Sequence, residues 1–268
     1  MKHIQTILIA LFLFGTTFGF SQDKMTPELL WKLKRVGGAE VSPNGLNAIY
    51  QVSAYNIKEE SRSKEVKLID LKTKTISNFT DKLNKKSFIT WYDDNKLLVQ
   101  ERKTDHLELG TFSIKESTYE KIANLPLSAS GIKLSGDKNQ ILFIQDVKLD
   151  EVITEKYPDL PKANVVVTED LMYRHWDKWH DYKYSHIFVM SKVNGAFSTP
   201  IDIMPNEKFD TPLNPFGGME QITFSNDSKA IIYTCKKKSG KDYAISTNSQ
   251  LYRYDIATKK YTQPVSDI

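Results

Sequence analysis

One short pattern occurs four times in the sequence, and this repeat limits the fold more than any other feature. A strand candidate runs into a tight polar turn, and an apolar strand candidate follows directly. Equivalent places in the turn are occupied by Ser42, Tyr92, Ser135 and Ser225. These residues are 50, 43 and 90 positions apart, so the last interval holds either two repeats or one repeat with an insertion. A regular spacing of this size predicts an array of similar β units.

A second hairpin candidate follows each of these turns. Its own turns lie at 72–74, 115–117, 194–195 and 257–259. Turns that contain Asn-Gly or Asp between apolar runs favour hairpins, because these residues tolerate positive φ. Two hairpins make a four-stranded sheet, and units of about 40–50 residues with four strands are typical of β-propeller blades.

The sequence therefore predicts an all-β fold with about four propeller blades. The predicted blades span 36–80, 87–124, 129–203 and 219–266, and the third holds an insertion at 148–185. A generic antiparallel sandwich is the alternative, and the near-constant offset of the turns argues against it.

The first residues are predicted to lie outside this fold. A positive start at 1–3 precedes an apolar run at 4–20, and the small residues Gly19 and Ser21 occupy positions −3 and −1 of a cleavage site before Gln22. This order is typical of a secretory signal peptide, with a membrane anchor as the alternative. We expect a signal peptide at 1–21 and a propeller domain at 22–268 that is exported to a bacterial periplasm or secreted, with no membrane span after signal removal.

A short helix is expected next, capped by Thr26, begun by Pro27 and ended by the pair Gly37–Gly38. The net charge of +4 is weak for 268 residues and does not point to nucleic acid. The basic run at 236–241 has no interleaved aromatic residue, so we expect a solvated hairpin connection there. Cys235, the single cysteine, excludes an intrachain disulfide and is expected on a half-buried strand.

The insertion carries the candidate site. It offers a strand candidate at Val165–Val167 and then a dense group of charged and aromatic residues. The candidate substrate-binding residues are Glu169, Asp170, Arg174, Trp176 and Asp177. Carboxylates in this position can pair with the α-ammonium of a peptide. The alternative is structural: the tryptophans pack the insertion and the charges form a solvated or ion-paired rim.

A metal site is not expected among the nearby histidines. His175 and His180 are five residues apart, and this spacing does not put both on one face of a helix. His186 is expected at the start of a strand. Neither a metal nor another cofactor is predicted for this chain.

Three segments together resemble a known family. They are the turn VSPNG at 41–45 with its echo at 224–228, the opening MTPELLW at 25–31, and LMYRHWDKWHD at 171–181. They are similar to the N-terminal propeller, with TolB-like repeats, of prolyl-oligopeptidase-family serine peptidases. The nearest branch is that of the acylaminoacyl peptidases and dipeptidyl peptidase V. The resemblance covers nearly all of 22–268.

This resemblance implies a longer enzyme. Propellers of the family have about seven or eight blades and are followed by an α/β-hydrolase domain with a catalytic triad. The chain contains no Gly-x-Ser-x-Gly segment, so no catalytic residue is assigned and the four blades are expected to be half of a propeller. A complete four-bladed propeller remains the alternative.

The implied function is substrate gating in an exported exopeptidase that releases dipeptides or acylated residues. Related dipeptidyl peptidases hold the substrate ammonium with propeller carboxylates, which implies that role for Glu169 and Asp170. The expected partners are a peptide substrate and the hydrolase domain. The alternative is a non-catalytic, periplasmic TolB-like propeller that binds a protein or peptide.

Overall fold

The computed structural model describes residues 24–264, so the predicted signal peptide lies outside the described residues. The chain divides into two compact units, Met1–Asn84 and Lys85–Ile268. Within 24–264, helices are few and short, and antiparallel strands make up most of the regular structure. The predicted all-β class is therefore confirmed. In this part of the chain the structure has no helix with the length and apolar character of a membrane span.

The first unit contains one four-stranded sheet. Helix α1 (Pro27–Lys32) precedes the strands β1 (Arg35–Val41), β2 (Asn47–Asn56), β3 (Ser61–Asp70) and β4 (Ile76–Asn78), which pair in chain order, and helix α2 (Thr80–Leu83) follows. The hydroxyl of Thr26 accepts a hydrogen bond from the Leu29 amide at 3.1 Å, which confirms the predicted cap.

The prediction that Gly37 and Gly38 end this helix is wrong. The helix ends at Lys32, and both glycines lie inside β1. The glycines instead allow an irregularity in the strand. The pairing of β1 with β2 shifts register between Gly37 and Glu40, and Gly38 there has a φ of +61°, which glycine adopts readily.

The second unit contains three sheets of four or five strands and one small two-stranded sheet. The second sheet of the chain is formed by β5 (Ser87–Trp91), β6 (Lys96–Arg102), β7 (Leu107–Ser113) and β8 (Tyr119–Leu125), again paired in chain order. The fourth has 3₁₀ helix Met219–Gln221 before β16 (Ile222–Phe224), β17 (Ala230–Cys235), β18 (Gln250–Asp255) and β19 (Lys260–Thr262), with helix α4 (Gly240–Ile245) between β17 and β18.

The third sheet lies between these in sequence and carries the insertion. It pairs β9 (Ser130–Leu134), β10 (Gln140–Lys148) and β13 (Lys183–Val193), with β14 (Ala196–Phe197) and β15 (Ile201–Asp202) on the far side of β13. The insertion between β10 and β13 contains helix α3 (Ile153–Lys156) and a small hairpin of β11 (Arg174–His175) and β12 (Lys178–Trp179).

Both faces of the third sheet are buried. Successive residues of a strand point to opposite faces, and β10 uses this alternation fully. Ile141 and Phe143 pack into the core shared with the second sheet, whereas Leu142 and Ile144 pack into the core shared with the fourth sheet. The continuous apolar run at 141–144 is the consequence, since no residue of that run faces water.

The repeated turn has a common hydrogen-bond pattern. In the third sheet the Ser135 hydroxyl donates to Asp137 Oδ1 at 2.6 Å and accepts from the Gln140 amide at 2.9 Å. The same two bonds recur in the fourth sheet at 2.6 and 2.9 Å, made by Ser225 with Asp227 and Ala230. The turn is thus closed by its own side chains, as local Ser and Asp hydrogen bonds permit.

Lys133 ties the third sheet to the start of the fourth. Its ammonium donates to the carbonyls of Met219 and Ile222, both at 2.7 Å. Burial lowers the pKa of Lys133, although the charge of Glu220 opposes this effect. A charged donor shared by two carbonyls adds a directional contact to the apolar core between the sheets.

We expect Gly110→Ala to destabilise the chain. A Cβ at this position of β7 would lie 2.3 Å from the Tyr119 ring and 2.6 Å from the Glu120 carbonyl oxygen. Overpacking of this kind typically costs about 1–3 kcal/mol. The matched control is Gly136→Ala, where the Cβ would have its nearest contact at 3.6 Å, to the Ser228 hydroxyl. Urea unfolding should show a loss for the first variant alone, and equal losses would contradict the close packing of Tyr119 on β7.

We expect Lys133→Met to weaken the junction between the third and fourth sheets. The substitution keeps the aliphatic stem but removes both hydrogen bonds, and bonds to charged groups contribute about 1.5–3 kcal/mol each. Lys192→Met, at an exposed position of β13, is the control and should change the free energy of unfolding little. Equal stability of the two variants in urea unfolding would show that the Lys133 contacts do not stabilise the chain.

Candidate functional site

Three long connections leave the sheets of the second unit at the same end. The insertion (149–182) joins β10 to β13, the linking segment (203–218) follows β15, and the helical loop (236–249) joins β17 to β18. Because β15 is antiparallel to β13 and its last residue, Asp202, pairs with Phe188, the chain after β15 continues toward the start of β13. We call the surface formed by these three connections the loop face. The short polar turns of the repeat lie at the opposite ends of the strands.

Asp150 fixes the base of the insertion. Its Oδ2 accepts a hydrogen bond from the Tyr184 hydroxyl at 2.7 Å, and its Oδ1 contacts the ammonium of Lys208 in the linking segment. Burial acts to raise the pKa of Asp150, but the bonds from Lys208 and Tyr184 outweigh it and the pKa is lowered. Asp150 is thus held as a carboxylate that joins the insertion to the linking segment.

The hairpin of β11 and β12 presents aromatic side chains at the loop face. Trp176, with a φ of +53°, lies at its turn and is 68% exposed. The Trp176 ring meets Phe216 of the linking segment edge-on, with ring centroids 5.4 Å apart, and Phe216 is 83% exposed. On the hairpin itself the rings of Tyr173 and Trp179 stack at 5.9 Å. Two separate segments therefore combine into one exposed aromatic surface.

The five predicted site residues all lie on the insertion and are exposed. Arg174 is turned back on its own hairpin: its Nε donates to the Trp176 carbonyl at 2.8 Å, and its guanidinium lies 5.2 Å from the Trp179 ring centroid. Asp177 follows Trp176 in the turn. The structural alternative therefore accounts for Arg174, whose charge and plane stabilise the hairpin.

The two remaining carboxylates differ in their surroundings. Asp170 Oδ1 accepts from the Leu171 amide at 2.8 Å. Its Oδ2 reaches the helical loop, because a Cβ added to Gly240, which has a φ of +55°, would lie only 2.1 Å from this oxygen. Glu169, the residue before Asp170, is exposed and lies in a part of the insertion that forms neither helix nor strand. Both carboxylates are accessible from solvent on the loop face.

The predicted strand at Val165–Val167 is absent, since these residues form no regular structure and are exposed. The prediction followed β propensity, which reflects packing against neighbouring strands more than a backbone preference. The three valines have no partner strand in the insertion, so their propensity is not realised.

The basic run is not a simple solvated connection. Lys236 donates to the carbonyls of Tyr243 and Ser246, and its ammonium lies 4.0 Å from the Tyr243 ring centroid. Lys237 lies 2.6 Å from the Glu207 carboxylate of the linking segment. These two lysines fold back on the loop face and join the helical loop to its neighbours.

Phe216 and Asp150 were missed by the sequence analysis, although each had a signal. Phe216 stands between Pro215 and Gly217, an exposed turn context for a large aromatic residue. Asp150 is the second residue of the insertion, close to the end of a strand. Cys235, by contrast, is fully buried on β17, and burial raises the pKa of its thiol to about 12, which leaves it inert as a nucleophile.

Within 24–264, no three His, Cys, Asp or Glu side chains converge in the way a metal ion would require. His175 lies in β11. Nδ1 of His180 accepts a hydrogen bond from the Tyr182 amide at 3.1 Å. The ring centroids of His180 and Tyr184 are 4.8 Å apart. The structure thus uses His180 to shape the exit of the insertion into β13.

Comparisons with known proteins place this geometry in context. No family model matches the chain. It is 31% identical over 245 residues to dipeptidyl-peptidase 5 of Porphyromonas gingivalis, covering 91% of this chain and 35% of the relative. The enzyme of the same name from Porphyromonas endodontalis is 30% identical over 235 residues, covering 87% and 34%. The chain thus spans about a third of the length of the curated relatives it matches.

Solved structures agree on the fold. The acylaminoacyl peptidase of Pyrococcus horikoshii superimposes with a TM-score of 0.57 at 8% identity, covering 88% of this chain and 33% of that one. A second acylaminoacyl peptidase, in complex with a chloromethyl ketone, gives 0.58 at 7% identity, with coverages of 89% and 33%. The predicted resemblance is confirmed, since the sequence is similar to dipeptidyl-peptidase 5 over about nine-tenths of this chain. The predicted all-β, propeller-like fold is also confirmed, whereas the number of blades stays a prediction.

Proposed function

We propose that this chain is the substrate-gating propeller part of an exported serine exopeptidase that releases dipeptides or acylated residues from peptides. The 268 residues contain no Gly-x-Ser-x-Gly segment. In our proposal the triad is therefore supplied by a hydrolase domain outside this sequence. The relatives named dipeptidyl-peptidase 5 are about three times as long as the matched region, which leaves room for such a domain.

The loop face is the observation that carries the proposal. All long connections of the second unit gather there, while short self-closed turns lie at the other strand ends. In our proposal the loop face borders the cavity in which peptides are cleaved, and the remaining blades restrict entry by size. Folded proteins are then excluded, and flexible peptides reach the triad.

The insertion supplies the chemistry that would recognise a peptide N-terminus. It holds eight acidic and four basic residues in a chain whose net charge is +4. In our proposal Glu169 and Asp170 pair with the α-ammonium, since a desolvated ammonium needs a close anion. The exposed rings of Trp176 and Phe216 offer an apolar surface to a neighbouring side chain of the peptide.

The DNA downstream of the codon for Ile268 tests the domain proposal. A continuing reading frame with further blade repeats and a Gly-x-Ser-x-Gly segment supports it. A stop codon with no hydrolase sequence beyond it contradicts it.

We expect Glu169→Gln or Asp170→Asn to lower kcat/KM in an enzyme that carries this chain together with its hydrolase domain. Both carboxylates are exposed, so the loss should be smaller than the about 2–5 kcal/mol that is typical when one partner of a buried charge pair is removed. We expect kcat/KM to fall about tenfold, which corresponds to ~1.4 kcal/mol. The loss should shrink for an N-acylated substrate, which has no ammonium. The measurement is kcat/KM on a free and on an acylated substrate of the same sequence.

Asp159→Asn is the matched control, because it removes one charge from an exposed position of the same insertion. It should leave kcat/KM on both substrates nearly unchanged. Equal losses on the free and acylated substrates would assign Glu169 and Asp170 a structural role, and no loss in either variant would remove them from the site.

A further inference from the structure

His186 is a buried histidine with a hydrogen-bond acceptor at each ring nitrogen. It lies on β13 and is fully buried. Nδ1 is 2.8 Å from Asp202 Oδ2 on β15, and Nε2 is 2.7 Å from the Glu207 carbonyl oxygen in the linking segment. A neutral imidazole has one N–H, whereas the imidazolium has two. Only the charged form can donate to both acceptors at once.

The surrounding charges favour that form. Burial alone lowers the pKa of His186, but the hydrogen bond and charge of Asp202, the Glu207 carbonyl and the charge of Asp210 together raise it above the ordinary value. The Glu207 carboxylate itself is engaged by Lys237. On β10, the neutral Gln145 is the register partner of His186, and the neighbouring Asp146 is exposed.

The carbonyl held by His186 belongs to the stretch that anchors the insertion. Lys208, the next residue, contacts the Asp150 carboxylate at the base of the insertion. Two residues later, Asp210 Oδ1 accepts from the Ser185 amide at 2.8 Å. His186, Lys208 and Asp210 therefore hold the stretch 207–210 against β13 and the insertion.

We propose that His186 is a protonation-dependent latch that positions the linking segment, and through Lys208 the base of the insertion. When the imidazolium loses a proton to solvent, the proton on Nδ1 stays, because the Asp202 carboxylate is the stronger acceptor. The lone pair of Nε2 then faces the Glu207 carbonyl oxygen, and that contact turns from attractive to repulsive. The linking segment loosens, and the insertion loses part of its support.

The direction of the pH effect follows from linkage. A histidine whose pKa is higher in the folded than in the unfolded chain stabilises the fold fully below the unfolded value of about 6.5. This contribution is lost as the pH rises through the folded pKa. The latch is therefore closed below the ordinary histidine pKa of about 6.5 and opens as the pH rises through the raised pKa of His186. Its effect on peptide capture rests on the function proposed above, whereas the latch itself does not.

Two measurements on the same chain test the latch without any activity assay. Nitrogen NMR of ¹⁵N-histidine-labelled protein reports whether both ring nitrogens of His186 carry protons. Hydrogen exchange, corrected for the intrinsic pH dependence of exchange, reports the protection of amides at 203–211 and 149–150. We expect His186 to be an imidazolium at pH 6, because its pKa is raised above the ordinary value of about 6.5. In a pH series from about 6 to about 9 we expect protection to fall about tenfold as the imidazolium deprotonates, the size expected for a charged hydrogen bond.

Variants separate the latch from general effects of pH. His186→Gln has no titrating ring and should show no step in protection over this range. Asp202→Asn removes the carboxylate that favours the imidazolium and should move the step to lower pH. His175→Gln, on the insertion hairpin, is the control and should keep the wild-type step. Four results would each overturn the proposal: a neutral His186 at pH 6, titration of His186 without a step, an equal step in His186→Gln, or an unmoved step in Asp202→Asn.

Discussion

The burial of the third sheet on both faces is the constraint on which the site depends. Alternate residues of β10 and β13 fill two separate cores, so neither strand can shift by one residue without exchanging its two apolar sets. The insertion leaves the end of β10 and returns at the start of β13, where Lys148 and Lys183 are register partners. A long and irregular segment thus starts and ends on a rigid base, which is how loops acquire defined positions.

The anchoring of the insertion is polar, in contrast to the sheets below it. Polar contacts at the margin of the apolar core join β13, β15, the insertion and the linking segment. They are made by Asp150 with Lys208, by His186 with Asp202 and by Asp210 with the Ser185 amide. Such contacts are directional and depend on charge, so they specify one arrangement of the loops more than they add to overall stability. The core fixes where the loop face is, and the polar contacts fix its shape.

The features predicted from sequence are those with local causes. The Ser-x-Asp turns close through hydrogen bonds between residues two and five positions apart, so their pattern is visible in the sequence. The apolar run at 141–144 and the cap of α1 by Thr26 are equally local. The strand predicted at Val165–Val167 failed because strand formation needs a partner, and the sequence does not show that none is adjacent.

The parts of the site that could not be predicted join residues far apart in the chain. Asp150 and Lys208 are 58 residues apart, Glu207 and Lys237 are 30 apart, and His186 is 16 and 21 residues from its two acceptors. The contacts of Asp150 and His186 form because β15 pairs with β13 and the linking segment then runs beside the insertion. Glu207 meets Lys237 because the third and fourth sheets pack together. The exposed contact of Trp176 with Phe216 also joins the insertion to the linking segment, and so the sequence indicated Trp176 but not Phe216.

We propose that the loop face recognises the free amino end of a peptide. The most direct measurement is an amide NMR titration of the chain with a short peptide and with the same peptide acetylated at its N-terminus. We expect chemical-shift changes at 169–177 and at Phe216 with the free peptide, and much weaker changes with the acetylated one, since only the free peptide carries the ammonium. Equal changes with both peptides, or changes confined to the short turns at the opposite ends of the strands, would contradict it.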